Sequence, residues 1–371
     1  MYLSIDVGTQ SVRAILFDRA GHILGIGRRA LPPPEAPKPG WAEFHPEQAW
    51  HALVDAVEDL SQRTGPLSQI ASISLTCQRG TVVGVDRFGS PIYPAISWMD
   101  QRMAENPPDI PRWLRLIFLS IGQARTLDYF RQQAEINWLY AHQPQQWKKI
   151  DKFLLLSAYL NHRLTGRYRD SYANTVGYLP FDYKHLRWAP KGDWRWKALA
   201  LTPEMMPELV APGAMIGTLT DEAAQQLNLP RRLPVIAGAA DKACESLGCG
   251  VFDHTRVSIS LGTTLTINAT SRDYRETLPL LPPFPAAIAG HYSNEYMISR
   301  GFWMIRWFIE NFGHPEQQKA RMSGGSVEDA LNHLLRQTPP GNDGVMALPY
   351  WNPGVIHPGV TARGTLVGLT A

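Results

Sequence analysis

Short apolar runs separated by polar turns open the chain and predict β-strands. Residues 2–7 and 12–17 form two such runs, rich in branched side chains, on either side of a polar turn at Gly8. A third run follows the turn at residues 18–21, so residues 2–29 are predicted to form three consecutive strands. After a proline-rich loop, apolar side chains recur at helical spacing from about Pro46 to Arg63, which predicts an amphipathic helix.

The rest of the chain mixes strands and helices in the same way. Strands are predicted at 70–75 and 233–238, with a returning strand within 76–86 and a hairpin at 257–268. Helices are predicted within 111–162, interrupted at Pro144, and at 220–227, 302–312 and 326–336, with an irregular segment at 171–188. The hairpin at 257–268 repeats the strand–Gly-Thr–strand pattern of the N-terminus. The sequence therefore indicates an α/β protein with a second domain built like the first.

Composition narrows the class of protein. The chain has 371 residues, 44% of them apolar and 19% charged, which is typical of a globular protein with room for two domains. A net charge of +3 without a Lys/Arg block argues against nucleic acid, and no apolar run is long enough to span a membrane. Cys77, Cys244 and Cys249 have neither disulfide nor zinc spacing, and Met1 leads directly into a strand without a leader. These features predict a cytoplasmic protein.

The first hairpin carries the first candidate chemistry. Asp6 stands at the end of a predicted strand, where a carboxylate can face a ligand. The turn that follows, Gly8 to Ser11, offers backbone N–H groups and hydroxyls with little bulk, which suits phosphate oxygens, and Arg13 adds a permanent cation. Taken by themselves, these residues are also compatible with an ordinary hairpin.

The string Asp6-x-Gly8-Thr9-x-Ser11-x-Arg13, followed by a strand ending in Phe-Asp and by Asp-Arg-Ala-Gly, resembles the phosphate-1 hairpin of the FGGY carbohydrate kinases. These enzymes belong to the actin-like ATPase superfamily. The resemblance implies two actin-like (ribonuclease H-like) domains flanking a cleft, a substrate-binding domain at 1–246 and a nucleotide-binding domain at 247–371. It also implies ATP and Mg²⁺ as cofactors, with Asp6 as a metal ligand. The residues it assigns to the nucleotide are Asp6, Thr9, Gln10, Ser11, Arg13, Gly262, Thr263 and Gly301.

Asp241 is the candidate general base. A predicted strand delivers it onto the small-residue turn Gly238-Ala239-Ala240, where a substrate can approach closely. A carboxylate there can accept the proton of a sugar hydroxyl as its oxygen attacks the γ-phosphoryl group of ATP. A helix N-cap is the alternative role for an Asp after a strand. The resemblance favours the base, because the family's catalytic Asp lies in this segment. The resemblance also makes Asp241 and Lys242 candidate substrate contacts, and Lys242 stands where relatives often carry Gln or Asn.

Three further residues are candidate substrate ligands. Gln78 and Arg79 lie on the loop that contacts substrate hydroxyls in the family, and Trp98 is expected to complete the pocket with Asp100. A surface ion pair is the alternative for Arg79. The local pattern resembles glycerol kinase, but Gly80 replaces that group's Glu, so the glycerol specificity is not transferred. Tyr129 resembles a substrate-contacting tyrosine if one extra residue is allowed before Trp138, and Glu135 replaces a Lys.

The resemblance covers the chain as far as Ala371, whereas relatives continue into a Gly-Gly-rich adenine-binding segment, so the second domain is expected to be incomplete. The function implied is ATP-dependent phosphorylation of a sugar or polyol. Two alternatives remain open: a shortened sugar-binding relative without activity, and an actin-like ATPase that remodels partners. The expected partner is a small sugar or polyol, and the sequence leaves a homodimer open.

Overall fold

A computed structural model of the chain describes residues 1–262, 265–277, 281–298, 301, 303–348, 350–351 and 362–370. The chain divides into two compact units. The first contains Met1–Asp253 and Thr270–Ser293, and the second contains His254–Ala269 and Asn294–Ala371. The domain boundary expected between residues 246 and 247 stays a prediction.

Strands and helices are interspersed along the chain. As far as residue 155 they are β1 (Tyr2–Val7), β2 (Ser11–Phe17), β3 (Ile23–Ala30), β4 (Glu43–Phe44), α1 (Pro46–Thr64), β5 (Ser72–Cys77), β6 (Val82–Val85), β7 (Ala95–Ile96), α2 (Arg112–Ser120), α3 (Ala124–Gln133), α4 (Glu135–His142), α5 (Pro144–Trp147) and β8 (Lys152–Leu155). Then follow α6 (Leu156–Thr165), β9 (Arg169–Ser171), β10 (Phe181–Asp182), β11 (Arg187–Trp188), α7 (Trp194–Ala198), β12 (Glu208–Val210), β13 (Met215–Thr218), α8 (Asp221–Leu227), β14 (Pro234–Ala240) and α9 (Asp241–Gly248). The remaining elements are β15 (Val257–Leu261), β16 (Leu265–Ser271), β17 (Phe284–Pro285), β18 (Tyr292–Ile298), α10 (Trp303–Phe312), α11 (His314–Ser323), α12 (Val327–Gln337), β19 (Met346–Leu348) and β20 (Thr365–Val367).

A mixed six-stranded sheet, in the order β13-β14-β5-β1-β2-β3, forms the centre of the first unit. The β1–β2–β3 segment is an antiparallel meander, as the three apolar runs predicted. Strands β5 and β14 extend the sheet on the other side of β1, and both run parallel to it. Helices such as α1 and α6 connect and cover these strands, so the predicted α/β class is confirmed.

Helix α1 packs an apolar face against this sheet and so forms part of the hydrophobic core. Its residues Trp50, Leu53, Val57 and Leu60 recur at helical spacing, and all four are buried. They belong to one apolar cluster with the buried side chains of β1, β2 and β5. The observed bounds, Pro46–Thr64, agree with the predicted helix to within one residue.

The region predicted as helical from Pro111 to His162 also contains a strand. Within it, β8 pairs antiparallel with β6, and its Phe153, Leu154 and Leu155 are buried. A short apolar run of this kind has no periodicity that separates a strand from a buried helix, which explains the error. Pro144 occupies the first turn of α5, where its missing N–H is harmless.

In the second unit, β15 and β16 form the predicted antiparallel hairpin, with Val257 opposite Ala269. Helices α10 and α12 lie where helices were predicted, and α11 between them was not anticipated. Ser326 accepts a hydrogen bond from the Asp329 N–H and so caps α12. No helix in the described part of the chain is long and apolar enough to cross a membrane.

Candidate active site

Three neighbouring strands bring the predicted site residues of the first unit together. Cys77, at the end of β5, lies opposite Val7 of β1 on one side and Ala240 of β14 on the other. Because these strands are parallel, their carboxyl ends share one edge of the sheet, which is where ligands bind in many open α/β sheets. Asp6, the Gln78–Arg79 loop and Asp241 all stand at this edge.

The position of Asp241 depends on a close approach of β14 to β5. A Cβ atom on Gly238 would lie 2.1 Å from the backbone oxygen of Leu75, so only glycine fits. Beside it the Thr76 hydroxyl donates to the carbonyl of Ala239 at 2.7 Å, where the strand register shifts. The small residues before Asp241, predicted to admit a substrate, therefore also allow this strand contact.

Asp241 begins α9 but is not its cap. Ala240 holds the N-cap position, and no side chain caps the helix. The Asp241 carboxylate accepts the Lys242 backbone N–H at 2.7 Å and lies 3.9 Å from Nε of Arg79. Burial raises the pKa of Asp241, while the Lys242 N–H and the Arg79 charge act in the opposite direction. The side chain is 31% exposed, so a small molecule can reach it.

Arg79 has an aromatic support that the sequence did not indicate. Its guanidinium lies over the ring of Phe284, 5.1 Å from the centroid, although the two residues are far apart in the chain. Phe284 in turn contacts the ring of Tyr183 at 6.4 Å. Arg79 therefore contacts both the Asp241 carboxylate and an aromatic face, and its role in substrate binding stays a prediction.

Gly80 adopts a left-handed backbone conformation, with φ of +68°. A Cβ atom added to Gly80 would lie 3.5 Å from the Cβ of Trp98. A residue with a side chain is strained at this φ, so the turn fits glycine better than the Glu of the glycerol-kinase pattern.

Hydrogen bonds connect the first hairpin with two of the predicted substrate ligands. The indole N–H of Trp98 donates to the Thr9 hydroxyl at 3.0 Å, and this hydroxyl donates to Oε1 of Gln78 at 2.7 Å. Gln78 is buried, and its backbone N–H donates to the carbonyl of Val7 at 2.9 Å. Trp98 is 55% exposed.

Elsewhere in the hairpin, Asp6 and Arg13 are direct cross-strand partners and form an ion pair at 2.8 Å. The turn is closed by the Gly8 N–H donating to the carbonyl of Ser11 at 3.1 Å. Gln10 is exposed and Ser11 is buried. The described residues contain no group of three or more His, Cys, Asp and Glu side chains suited to a metal ion.

Other predicted residues have different surroundings. Lys242 forms an ion pair with Glu245, one turn along α9, at 2.7 Å. The side chain of Asp100 is only 3% exposed and accepts hydrogen bonds from Arg102 and from the Ala42 N–H, so its carboxylate already has partners within the protein. Tyr129 packs against the ring of Tyr178 at 6.1 Å.

Burial raises the pKa of Glu135 to about 7, and the nearby Asp100 carboxylate acts in the same direction.

The remaining predicted nucleotide ligands belong to the second unit. Gly262 follows β15, and Gly301 precedes α10, where its carbonyl accepts the Met304 N–H at 2.9 Å. Thr263 lies outside the described residues. Their assignment to the nucleotide stays a prediction.

Comparisons with known proteins agree with this architecture. The structure of the xylulose kinase from Rhodospirillum rubrum is similar, with a TM-score of 0.83, 23% sequence identity and coverage of 99% of this chain and 72% of that chain. At that identity the likeness shows the fold. A model of the FGGY family of carbohydrate kinases, N-terminal domain, matches residues 1–248. The chain belongs to the FGGY family of carbohydrate kinases.

Two curated relatives match nearly all of the chain. An uncharacterized sugar kinase of Escherichia coli (strain K12), YgcE, is 29% identical over 371 residues, which cover 99% of this chain and 67% of that protein. A glycerol kinase of Thermococcus gammatolerans is 29% identical over 385 residues, which cover 99% of this chain and 72% of that protein. The chain therefore spans about 70% of the length of these relatives.

Proposed function

We propose that the protein catalyses ATP-dependent phosphorylation of a hydroxyl group on a sugar or polyol, with Asp241 as the general base. The observation that carries the proposal is the position of Asp241 at the edge where the carboxyl ends of β1, β5 and β14 meet, 3.9 Å from Arg79. The names of the curated relatives, a sugar kinase and a glycerol kinase, support the same chemistry.

Asp241 is suited to accept a proton. Burial raises its pKa and so makes the carboxylate a stronger base than one in water. The charge of Arg79 acts against this rise of the Asp241 pKa. The proton of the attacking hydroxyl would move to the Asp241 carboxylate while the oxygen attacks phosphorus.

Substrate recognition is assigned to Gln78, Arg79, Trp98 and Lys242. The Gln78 amide and the Arg79 guanidinium supply donors for substrate oxygens, and the Trp98 ring supplies an apolar wall. Lys242 already pairs with Glu245, so its contact with a substrate would be made beside that ion pair.

The phosphate side is assigned to the first hairpin. Bound ATP supplies the phosphoryl group, and the residues proposed to bind its phosphates are Gln10, Ser11, Arg13 and the backbone N–H of Thr9. Asp6 is proposed as a ligand of Mg²⁺, which proteins often hold by one or two carboxylates together with substrate phosphates. Asp6 and Arg13 form an ion pair at 2.8 Å. When ATP and Mg²⁺ bind, we expect this pair to separate, so that Asp6 contacts Mg²⁺ and Arg13 contacts phosphate. Gly262, Thr263 and Gly301 are proposed as further nucleotide ligands.

The proposal extends to the domains. Residues 1–246 are assigned to substrate binding and residues 247–371 to nucleotide binding, as the family resemblance implies. A cytoplasmic location and a homodimer also stay predictions.

The decisive experiment measures ADP release by the purified chain with a panel of polyols, ketoses and sugar acids, and compares Asp241→Asn with Asp109→Asn. Asp109 is an exposed loop residue, so its variant removes the same charge away from the site. We expect Asp241→Asn to lower kcat by at least about 10²-fold, the usual size of a general-base contribution, and Asp109→Asn to leave it unchanged.

Three outcomes are informative. Measurable and equal turnover of the two variants would exclude Asp241 as the base. Calorimetric binding of a sugar without ADP formation would favour a non-catalytic sugar-binding protein. ADP release that does not depend on any sugar would favour an ATPase.

A further inference from the structure

We propose that one side of helix α2 is a docking surface for a membrane that contains anionic lipids. Six exposed side chains form this surface, the α2 face: Arg112, Trp113, Arg115, Leu116, Ile117 and Leu119. All of them belong to the first unit. Docking of this kind does not depend on phosphoryl transfer, so it goes beyond the proposed function.

The other side of α2 is fixed to the body of the first unit. Leu114 and Phe118, four residues apart and therefore on one side of the helix, are both buried. They cluster with Leu127 of α3 and Ala198 of α7. The orientation of α2 is thus set by its own packing, and the α2 face is presented outward.

The α2 face is apolar where a solvated helix is normally polar. Trp113, Leu116 and Leu119 follow one another at a spacing of three residues, so they lie along one side, and they are 50%, 64% and 54% exposed. Ile117 beside them is also exposed. Single exposed apolar side chains are common, but four within two turns of one helix form a contiguous patch, which marks an interaction surface.

The charge around this patch is positive. Residues 110–127 include Arg112, Arg115 and Arg125 and no Asp or Glu, and all three arginines are exposed. Nζ of Lys197, from α7, lies 5.9 Å from the ring centroid of Trp113 and adds a further cation. The apolar patch is therefore bordered by basic side chains, which favour a negatively charged partner.

Acidic residues near α2 reduce this charge without cancelling it. Asp109 and Asp128 flank the stretch, so residues 109–131 contain four arginines and two aspartates and have a net charge of +2. Asp128 lies 3.4 Å from Arg131 and 3.7 Å from Arg115. The Arg115 pair is exposed and long, so it is weak and leaves that guanidinium able to contact another anion.

These features favour a lipid surface over a second copy of the chain. A two-fold contact uses the same patch on both copies, so it would bring the arginines of one α2 face close to those of the other. Helices that lie in the membrane interface combine aliphatic side chains, which enter the acyl region, with Trp at the level of the head groups. Arginine stems can follow the apolar surface while their guanidinium groups reach lipid phosphates.

The test is flotation of the purified full chain with vesicles. One set contains phosphatidylglycerol and phosphatidylcholine in equal amounts, and the other contains phosphatidylcholine alone. We expect binding to the anionic set only, and we expect added salt to weaken it. Leu116→Ser/Leu119→Ser should lower the partition coefficient by at least about 10-fold, because two apolar anchors are lost. Arg112→Gln should lower it by about 5-fold, the contribution of one basic residue near an anionic surface.

Matched controls remove the same residue types elsewhere. Leu334→Ser/Leu335→Ser replaces two exposed leucines of α12, and Arg19→Gln replaces an exposed arginine between β2 and β3. Both should bind anionic vesicles as the unmodified protein does. Urea unfolding of Leu116→Ser/Leu119→Ser checks that the fold is kept, since exposed substitutions rarely change stability by more than about 0.5 kcal/mol each.

Three results would overturn the proposal. The first is failure of the unmodified chain to bind the anionic vesicles. The second is binding by Leu116→Ser/Leu119→Ser equal to that of the unmodified chain. The third comes from sedimentation equilibrium without lipid: a dimer that Leu116→Ser/Leu119→Ser converts to a monomer would make the α2 face a contact between copies of this chain.

Discussion

The two compact units of this protein bury their apolar side chains to very different extents. In the first unit, one continuous cluster joins the central sheet to α1, α6 and α8. Among the described residues of the second unit, Ala320 is the apolar side chain that reaches full burial. Large side chains of the second unit, including Phe308, Phe312 and Leu335, are exposed. The hydrophobic contribution to stability is therefore concentrated in the first unit.

A pair of strands shows the difference most directly. In β1, Leu3, Ile5 and Val7 alternate with polar residues and are buried. In β15, the apolar residues Val257, Ile259 and Leu261 alternate in the same way, yet they are 52%, 56% and 55% exposed. The same pattern thus predicts a strand and the direction of its apolar face in both units. Whether that face is covered depends on what packs against it.

The largest effect that would test this comparison is expected from core truncation. Leu53 is fully buried in α1, so Leu53→Ala should lower the free energy of unfolding by about 2–5 kcal/mol. Ile259→Ala removes an exposed side chain and should change it by no more than about 0.5 kcal/mol. Urea unfolding followed by tryptophan fluorescence reports mainly on the first unit, which holds nine of the twelve tryptophans. Circular dichroism at 222 nm follows both units.

If Ile259→Ala were as destabilising as Leu53→Ala, the face of β15 would be covered in solution, and the contrast between the units would be wrong.

A second prediction concerns Asp170, a fully buried carboxylate of the first unit. The described acidic residues of the second unit are half-buried or exposed. Burial raises the pKa of Asp170 to about 6, although the Ser157 and Asn174 side chains donate hydrogen bonds to it at 2.6 and 2.7 Å. An ordinary Asp has a pKa of about 3.9.

Between these two pKa values, the folded protein keeps a proton that the unfolded chain has lost. The contribution of Asp170 to the free energy of unfolding should therefore fall as the pH rises from about 4 to about 6, by up to about 3 kcal/mol, and then level off. Asp170→Asn should lack this part of the decrease, whatever its absolute stability, and should keep the part that comes from Glu135, whose pKa is raised to about 7. A stability that rises with pH in the unmodified protein and not in Asp170→Asn would mean that the hydrogen bonds outweigh burial.

Much of the fold could be predicted because local pattern and tertiary packing agree. The first hairpin and α1 have short, regular patterns, and their observed bounds follow them closely. Strand β8 could not be separated from a helix, because three consecutive buried residues, Phe153 to Leu155, have no distinguishing period. Its identity depends on pairing with β6, which is a tertiary contact.

The candidate site was predictable in its residue types and less so in its contacts. Gln78, Arg79 and Asp241 could be placed at strand ends from the sequence, and parallel pairing brings those ends together. The bond between Thr9 and Gln78 joins residues 69 positions apart, and the support of Arg79 by Phe284 joins segments even more distant. No local pattern encodes such contacts, so they could be found only in the folded protein.

The smallest expected effect concerns a single methyl group between β14 and β5 of the first sheet. Gly238→Ala would place a Cβ atom 2.1 Å from the Leu75 oxygen, so β14 must move away from β5. Overpacking of this kind destabilises by about 1–3 kcal/mol. Because Asp241 follows directly on this strand, kcat for phosphoryl transfer should also fall, by up to about 10²-fold for a shift near 1 Å.

The matched control in the second unit is Gly325→Ala, whose Cβ would meet the Ser323 hydroxyl at an ordinary 3.4 Å. We expect it to change the free energy of unfolding by no more than about 0.5 kcal/mol and to leave kcat unaltered. Equal behaviour of the two variants in urea unfolding and ADP release would show that close strand packing does not position Asp241. A loss confined to Gly238→Ala would connect the dense packing of the first unit with the geometry of its candidate base.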